Sequence, residues 1–236
     1  MALKSSINSI IQNTPYLEEY LKNAPYWLID SLVITKKSKD SLIVEENAKA
    51  DTIYILVEGV VRAMDYRIKG IAYDYMWFYP VEVFGAMELF FERDRYMTTL
   101  KAVTDCTFIV LTREQYGRWI WNDSNALKIE VKALGKSLLD QNRVGRVFLF
   151  LQGTDRIIYM LTLQYERFSR SKSLVVNSVR QELAERSGLS IKTVNRAVKQ
   201  MEELGFISKK GRKITVSQDQ YSKMKEYLST IVDEEM

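Results

Sequence analysis

Lys192, Thr193, Asn195, Arg196 and Lys199 fall within eight residues, on the side of a helical wheel opposite Val194, Ala197, Val198, Met201 and Leu204. Their side chains can donate charge-assisted hydrogen bonds to phosphate oxygens and to base edges. That is the chemistry of nucleic-acid recognition, in which phosphate contacts position the protein and base contacts specify the sequence. A few residues later Lys209, Lys210 and Arg212 surround Gly211 and add three cations. Arg180, Gln181, Ser190 and Ile191 complete the set expected to lie on duplex DNA.

Such a set needs elements that hold it outward. Ser178 and Gln181 have the spacing of a capping box at a helix start. Leu183, Ala184 and Ser187 give that helix a small inward face. Gly188 then breaks the chain, and Ser190 is placed to cap a second helix that Gly205 ends. Small residues and a tight turn let two helices cross closely, which leaves the second as a probe. Phe206–Ser208 and Lys213–Val216 read as a hairpin, a basic wing. Residues 178–225 hold 11 Lys or Arg against 5 Asp or Glu, an excess of six, whereas the whole chain carries +4. Phosphate neutralisation requires such a local excess. A solvated basic helical hairpin would explain the charge, but not the turn and wing together.

The rest of the composition excludes a good deal. Of 236 residues none is histidine, and Cys106 is the single cysteine. An intramolecular disulfide is impossible, and His-based triads, the usual zinc sites and His-ligated haem are removed. No metal and no cofactor is expected. Cys106 lies in an apolar run ending at Leu111 and reads as core. No apolar stretch approaches the ~20 residues that span a bilayer, and no secretory leader is visible. The expectation is a soluble, cytoplasmic protein, not an enzyme.

Along the chain, residues 1–34 look helical, with Pro15 and Pro25 as breakers. Short strand-like runs follow at Leu42–Val44, Thr52–Val57, Val60–Met64, Ala72–Phe78, Leu100–Val103 and Thr107–Leu111. Their close spacing suggests a barrel or roll. Residues 124–151 form one long helix with a possible cap at Ser124 and apolar positions 127, 131, 134, 138, 144, 148 and 151. That stripe needs a partner, and a second copy of the chain is the natural one; the alternative is packing on its own roll. Gly153 ends this helix, a further helix covers Thr154–Arg167, 169–173 is a polar connector, and Ser217 caps a last helix before an acidic tail, Asp233–Glu235. The fold class is α+β, with domains at 1–123, 124–152 and 153–236.

From about residue 35 to about 218 the chain resembles the catabolite activator protein (Crp/Fnr) family of bacterial transcription regulators. The resemblance rests on Gln181-Glu182-Leu183-Ala184, Gly188, Ser190, Thr193-Val194, Arg196 and Gly205-Phe206-Ile207. Glu58-Gly59, Gly85 and Leu89-Phe90 match its roll. It implies a cyclic-nucleotide-binding-like roll, a long dimerisation helix and a winged helix-turn-helix. It also implies a homodimer on a near-palindromic site, with RNA polymerase as a further partner it allows. Arg196 matches the family's base-reading arginine and can be bidentate to guanine O6 and N7.

Several positions depart from the family. Its cyclic AMP binders carry Gly-Glu in the phosphate turn and Arg-Ser a little later. Here Gly85 is followed by Ala86, and the later pair is Tyr96-Met97. Arg93 and Arg95 are nearby, but dependence on cyclic AMP is not expected. Effector candidates are Gly85, Ala86, Met87, Tyr96 and Met97, with Gln141 and Asn142 on the long helix; packing of the roll explains them equally. The family's Arg-Glu reading pair is replaced by Ile191 and Lys192, so a different DNA target is expected. The alternative function is a small-molecule sensor whose roll binds an unidentified effector and whose DNA binding waits on it.

Overall fold

The computed structural model describes residues 2–67, 71–169, 172–176, 180–211 and 213–231. The chain divides into two compact units, Met1–Leu138 and Leu139–Met236. The first begins with α1 (Ala2–Gln12), α2 (Pro15–Tyr20) and α3 (Tyr26–Ser31). Both prolines mark helix starts: Pro15 opens α2 and Pro25 caps α3.

Eight strands follow: β1 (Val33–Lys37), β2 (Leu42–Val44), β3 (Thr52–Glu58), β4 (Val61–Arg67), β5 (Ile71–Phe78), β6 (Glu82–Phe84), β7 (Thr99–Ala102) and β8 (Cys106–Thr112). The short α4 (Ala86–Phe90) stands between β6 and β7, and α5 (Arg113–Ile120) follows β8. The strands make two antiparallel four-stranded sheets, in the orders β1-β8-β3-β6 and β2-β7-β4-β5.

The first sheet is covered on both faces, which is why β3 and β8 read as continuous apolar runs. Ile53, Ile55, Ile109 and Leu111 pack with Leu17, Tyr20, Leu28, Tyr116 and Trp119 on the helical side. Leu56, Cys106 and Phe108 alternate with them and pack with Val61, Ala63, Leu100 and Ala102 of the second sheet. Cys106 is thus core, and burial pushes its thiol up.

Two strands here were not expected. Val33–Lys37 pairs with β8 from Val33↔Val110 to Lys37↔Cys106, and as an edge strand with two lysines it lacks apolar alternation. Glu82–Phe84 is only three residues long and is held by β3.

The long helix α6 runs Ser124–Phe150, close to the expected 124–151. Its cap is corrected, since Asp123 rather than Ser124 does the capping. Asp123 Oδ1 accepts from the backbone N–H groups of Asn125 and Ala126, both at 3.1 Å, and Oδ2 accepts from Trp119 Nε1 at 3.0 Å. A carboxylate held by an indole suits the positive end of a helix.

The second unit contains the end of α6, then α7 (Thr154–Phe168), β9 (Ser173–Val176), α8 (Arg180–Ser187), α9 (Ile191–Glu203), β10 (Ser208–Lys210), β11 (Lys213–Ser217) and α10 (Gln218–Ser229). Its sheet has the order β10-β11-β9. The expected connector therefore ends in a third strand, where buried Leu174 and Val176 flank exposed Val175. Ser217 caps α10 in a capping box with Gln220. The expected Ser178 cap, Arg212 and the acidic tail Asp233–Glu235 lie outside the described residues. Among the described residues no helix is long and apolar enough to cross a membrane, and no three metal-ligating side chains cluster.

Candidate nucleic-acid interface and effector turn

The helix-turn-helix is built from local bonds. Leu183, Ala184 and Ser187 are buried, and Ser187 Oγ donates to Leu183 O at 2.6 Å. Gly188 turns the chain at φ +67°, and Leu189 N–H returns to Ala184 O at 3.2 Å. This left-handed turn favours glycine because a Cβ would crowd the backbone. Ser190 then caps α9, its Oγ accepting from Thr193 N–H at 3.1 Å. Val194, Ala197, Val198 and Met201 are buried against the unit's core, whereas Leu204, expected inside, is largely exposed at the helix end.

The opposite face is open. Ile191, Lys192, Asn195, Arg196 and Lys199 are exposed and Thr193 is half-buried. The structure thus gathers the α9 candidates on one solvent face. Lys199 lies 3.7 Å from Glu203 in an exposed pair worth little against a phosphate. Arg180 and Gln181 open α8; burial pulls the Arg180 guanidinium down, and Gln181 donates to Glu185 at 2.8 Å.

In the wing, Lys209 and Lys210 are strand residues, paired with Ile214 and Lys213, and not the turn itself. Lys209 Nζ reaches Glu202 Oε2 at 2.5 Å, so it ties the hairpin to α9. Sequence reasoning missed that tie, since Glu202 carries no mark distinguishing it from Glu203. The wing also hangs on α10, where Gln220 donates to Ser208 Oγ at 2.9 Å.

Two effector candidates of the roll, Gly85 and Tyr96, meet at one carbonyl. Gly85 has φ +93°, and a Cβ there would lie 2.8 Å from Thr52 O. Tyr96 donates its hydroxyl to the same Thr52 O at 2.7 Å. Ala86 and Tyr96 are buried and pack the roll, whereas Met87 and Met97 are 40% and 41% exposed. Two residues here went unmarked in the sequence reading. Glu88 is buried and accepts from Met97 N–H at 3.0 Å. Arg113 donates to Ala50 O and Glu88 O, both at 3.2 Å, and to Arg93 O. Arg95 donates to Asn47 O at 2.5 Å. Arg95 and Arg113 are therefore engaged with backbone carbonyls. Gln141 and Asn142 belong to the second unit; Asn142 is exposed, and the side chain of Gln141 lies outside the described ones.

A two-sheet roll, a long helix and a winged helix-turn-helix are together the parts of a DNA-binding regulator. Residues 35–121 match the model of the cyclic nucleotide-binding domain, and residues 143–220 that of the Crp-like helix-turn-helix domain. The cAMP-activated global transcriptional regulator CRP of Pasteurella multocida is 24% identical over 209 residues, covering 87% of this chain and 98% of its own. Two solved structures share the fold. One is the c-di-GMP responsive regulator CLP of Xanthomonas campestris, with TM-score 0.70, 23% identity and coverage of 81% of this chain and 96% of that one. The other is a Crp/Fnr regulator from Eubacterium rectale, with TM-score 0.75, 11% identity and coverage of 90% and 100%. The chain belongs to the Crp/Fnr family of transcriptional regulators.

Proposed function

We propose that the chain works in the cytoplasm as a homodimeric, sequence-specific regulator that reads a near-palindromic duplex site without cyclic AMP and catalyses no reaction. The observation that carries this is the polar, exposed face of α9 set opposite a fully buried one. A 13-residue helix is ~20 Å long and fits the major groove. Arg196 reads a guanine, Ile191 meets a thymine methyl, and Lys192, Thr193, Asn195 and Lys199 serve bases and phosphates beside them. Arg180, Gln181, Lys210 and Arg212 extend the phosphate contacts, and Ser190 and Lys209 hold the reading head in shape.

In this reading residues 1–123 form the effector domain, 124–152 the dimerisation helix and 153–236 the DNA-binding domain. Exposed Val131 and Leu138, 57% and 59% open, support pairing through α6. They are one heptad apart, as a helix seam requires. Independence from cyclic AMP is supported by Ala86 and Tyr96, which stand where acceptor and cation would be. A buried cyclic phosphate without a cation would cost several kcal/mol.

The half-open methionines Met87 and Met97 favour a second reading, in which another effector must bind the roll first. Site selection from random DNA with nucleotide-free protein tests both. Enrichment of an inverted repeat supports the first reading. Failure to bind until a metabolite extract is added supports the second. No binding under either condition overturns both.

A further inference from the structure

We propose that Glu130, together with the hydroxyls of Tyr20 and Tyr116, forms a buried proton-binding cluster through which the first unit responds to pH. Glu130 lies on α6 and is 2% exposed. Its Oε2 accepts from Tyr20 OH at 2.9 Å, and Tyr20 OH lies 2.8 Å from Tyr116 OH. Both tyrosines are fully buried. Each phenol has one proton, so the chain has a direction. With Glu130 ionised, Tyr116 donates to Tyr20 and Tyr20 donates to the carboxylate. With Glu130 protonated, the acid can donate to Tyr20 and the chain reverses.

α2 contributes Tyr20, α5 contributes Tyr116 and α6 contributes Glu130, while Tyr16 and Glu82 of β6 couple to Glu130 through its charge. Among the described residues Glu130 has no ion pair, and three cations of this unit are engaged elsewhere. Arg118 lies over the Trp27 ring at 4.5 Å, Arg113 binds carbonyls, and Lys22 pairs with Glu19 at 3.5 Å. A carboxyl group withdrawn from water favours the proton-bound form. Burial pushes Glu130 up to about 7, against the opposing pull of the Tyr20 hydrogen bond. Burial, and then the Glu130 charge, push Glu82 up to about 7 as well. Tyr16 is pushed up to about 12 by burial and by both acids.

The cluster joins α2, α5 and α6, and Glu82 couples β6 to it. α2 precedes the residues matched by the cyclic nucleotide-binding model, which begin at 35. β6 leads into the Gly85 turn, and α6 is the proposed pairing helix. α2 thus gains a role, since its Tyr20 hydroxyl is the hydrogen-bond partner of Glu130.

The test uses the full chain. Infrared difference spectra between pH 5 and pH 9 follow the protonated carboxyl band, and thermal unfolding is measured over the same range. We expect carboxyl bands in the native protein that disappear at about pH 7, and an unfolding temperature of the first unit that falls from pH 6 to pH 8. Glu130→Gln should remove one band, lower the midpoint of Glu82 and flatten the unfolding slope. Tyr20→Phe removes the hydrogen bond that favours ionised Glu130, so it should raise that midpoint, which a merely structural tyrosine would not do. Carboxyl titration complete by about pH 5 in the native protein would overturn the proposal. So would an unfolding slope in Glu130→Gln equal to the native one. Should Glu130→Gln fail to fold, the native titration and Tyr20→Phe decide.

Discussion

Arg196 stands exposed on the solvent side of α9, and its planar fork suits a guanine edge. Arg196→Ala should weaken binding by about 1–3 kcal/mol and relax the preference at one base pair per half-site, read by competition on a panel of single-base variants. Equal loss on specific and random DNA would make it a phosphate contact instead. Lys209 behaves differently, because it is bound to Glu202. Lys209→Ala should loosen the wing and weaken binding to all sequences, and Glu202→Gln should reproduce part of that loss. A cation acting only on phosphate would be indifferent to Glu202. The residues legible in advance were those whose partners are three or four positions away, such as Ser190 with Thr193. Glu130, whose partner Tyr20 is 110 positions away, was not, because its role depends on a contact that only folding creates.

Among the elements, α9 rests on its cap. Ser190→Ala removes the acceptor for Thr193 N–H and should cost about 1 kcal/mol of stability in the second unit, measured by urea unfolding. α6 makes the opposite kind of claim, since Ala126 and Val147 are buried while Val131, Leu138 and Leu139 lie open. Leu138→Glu should therefore leave each unit folded and shift the protein to monomer in sedimentation equilibrium at micromolar concentration. An unchanged mass would place the pairing surface elsewhere. Strand detection followed the same physics. β3 and β8 are buried on both faces and stand out as apolar runs, whereas β1, β6 and β9 are short or lie at sheet edges. Edges are held by neighbours, so their own residues carry little signal.

For the whole molecule, two copies related by a two-fold axis should protect half-sites ~34 Å apart, one helical turn. A footprint on one asymmetric half-site would contradict this. In the proposed cluster Glu130 sets the pH dependence. Glu130 is held up at about 7 in the fold, above its ordinary 4.5, so the folded chain keeps a proton that the unfolded chain releases between those values. The stabilisation is complete below about pH 4.5, is lost as pH rises to 7, and does not recover above it. For Glu130 alone it amounts to about 3 kcal/mol at most. Differential scanning calorimetry at pH 6 and pH 8 reads the difference.

One guanidinium near the end of α6 has a further consequence. Arg156 donates to Phe148 O at 3.2 Å, Leu151 O at 2.9 Å and Ser187 O at 3.4 Å. The first two carbonyls close a helix, and the third closes the turn that precedes the reading helix. A single side chain therefore ties the fraying of one segment to that of the other. In the language of local opening, residues 148–153 and 187–189 form one cooperative unit rather than two. Their amide protons should exchange with solvent at matched free energies, and Arg156→Met should uncouple them while leaving the α10 amides protected.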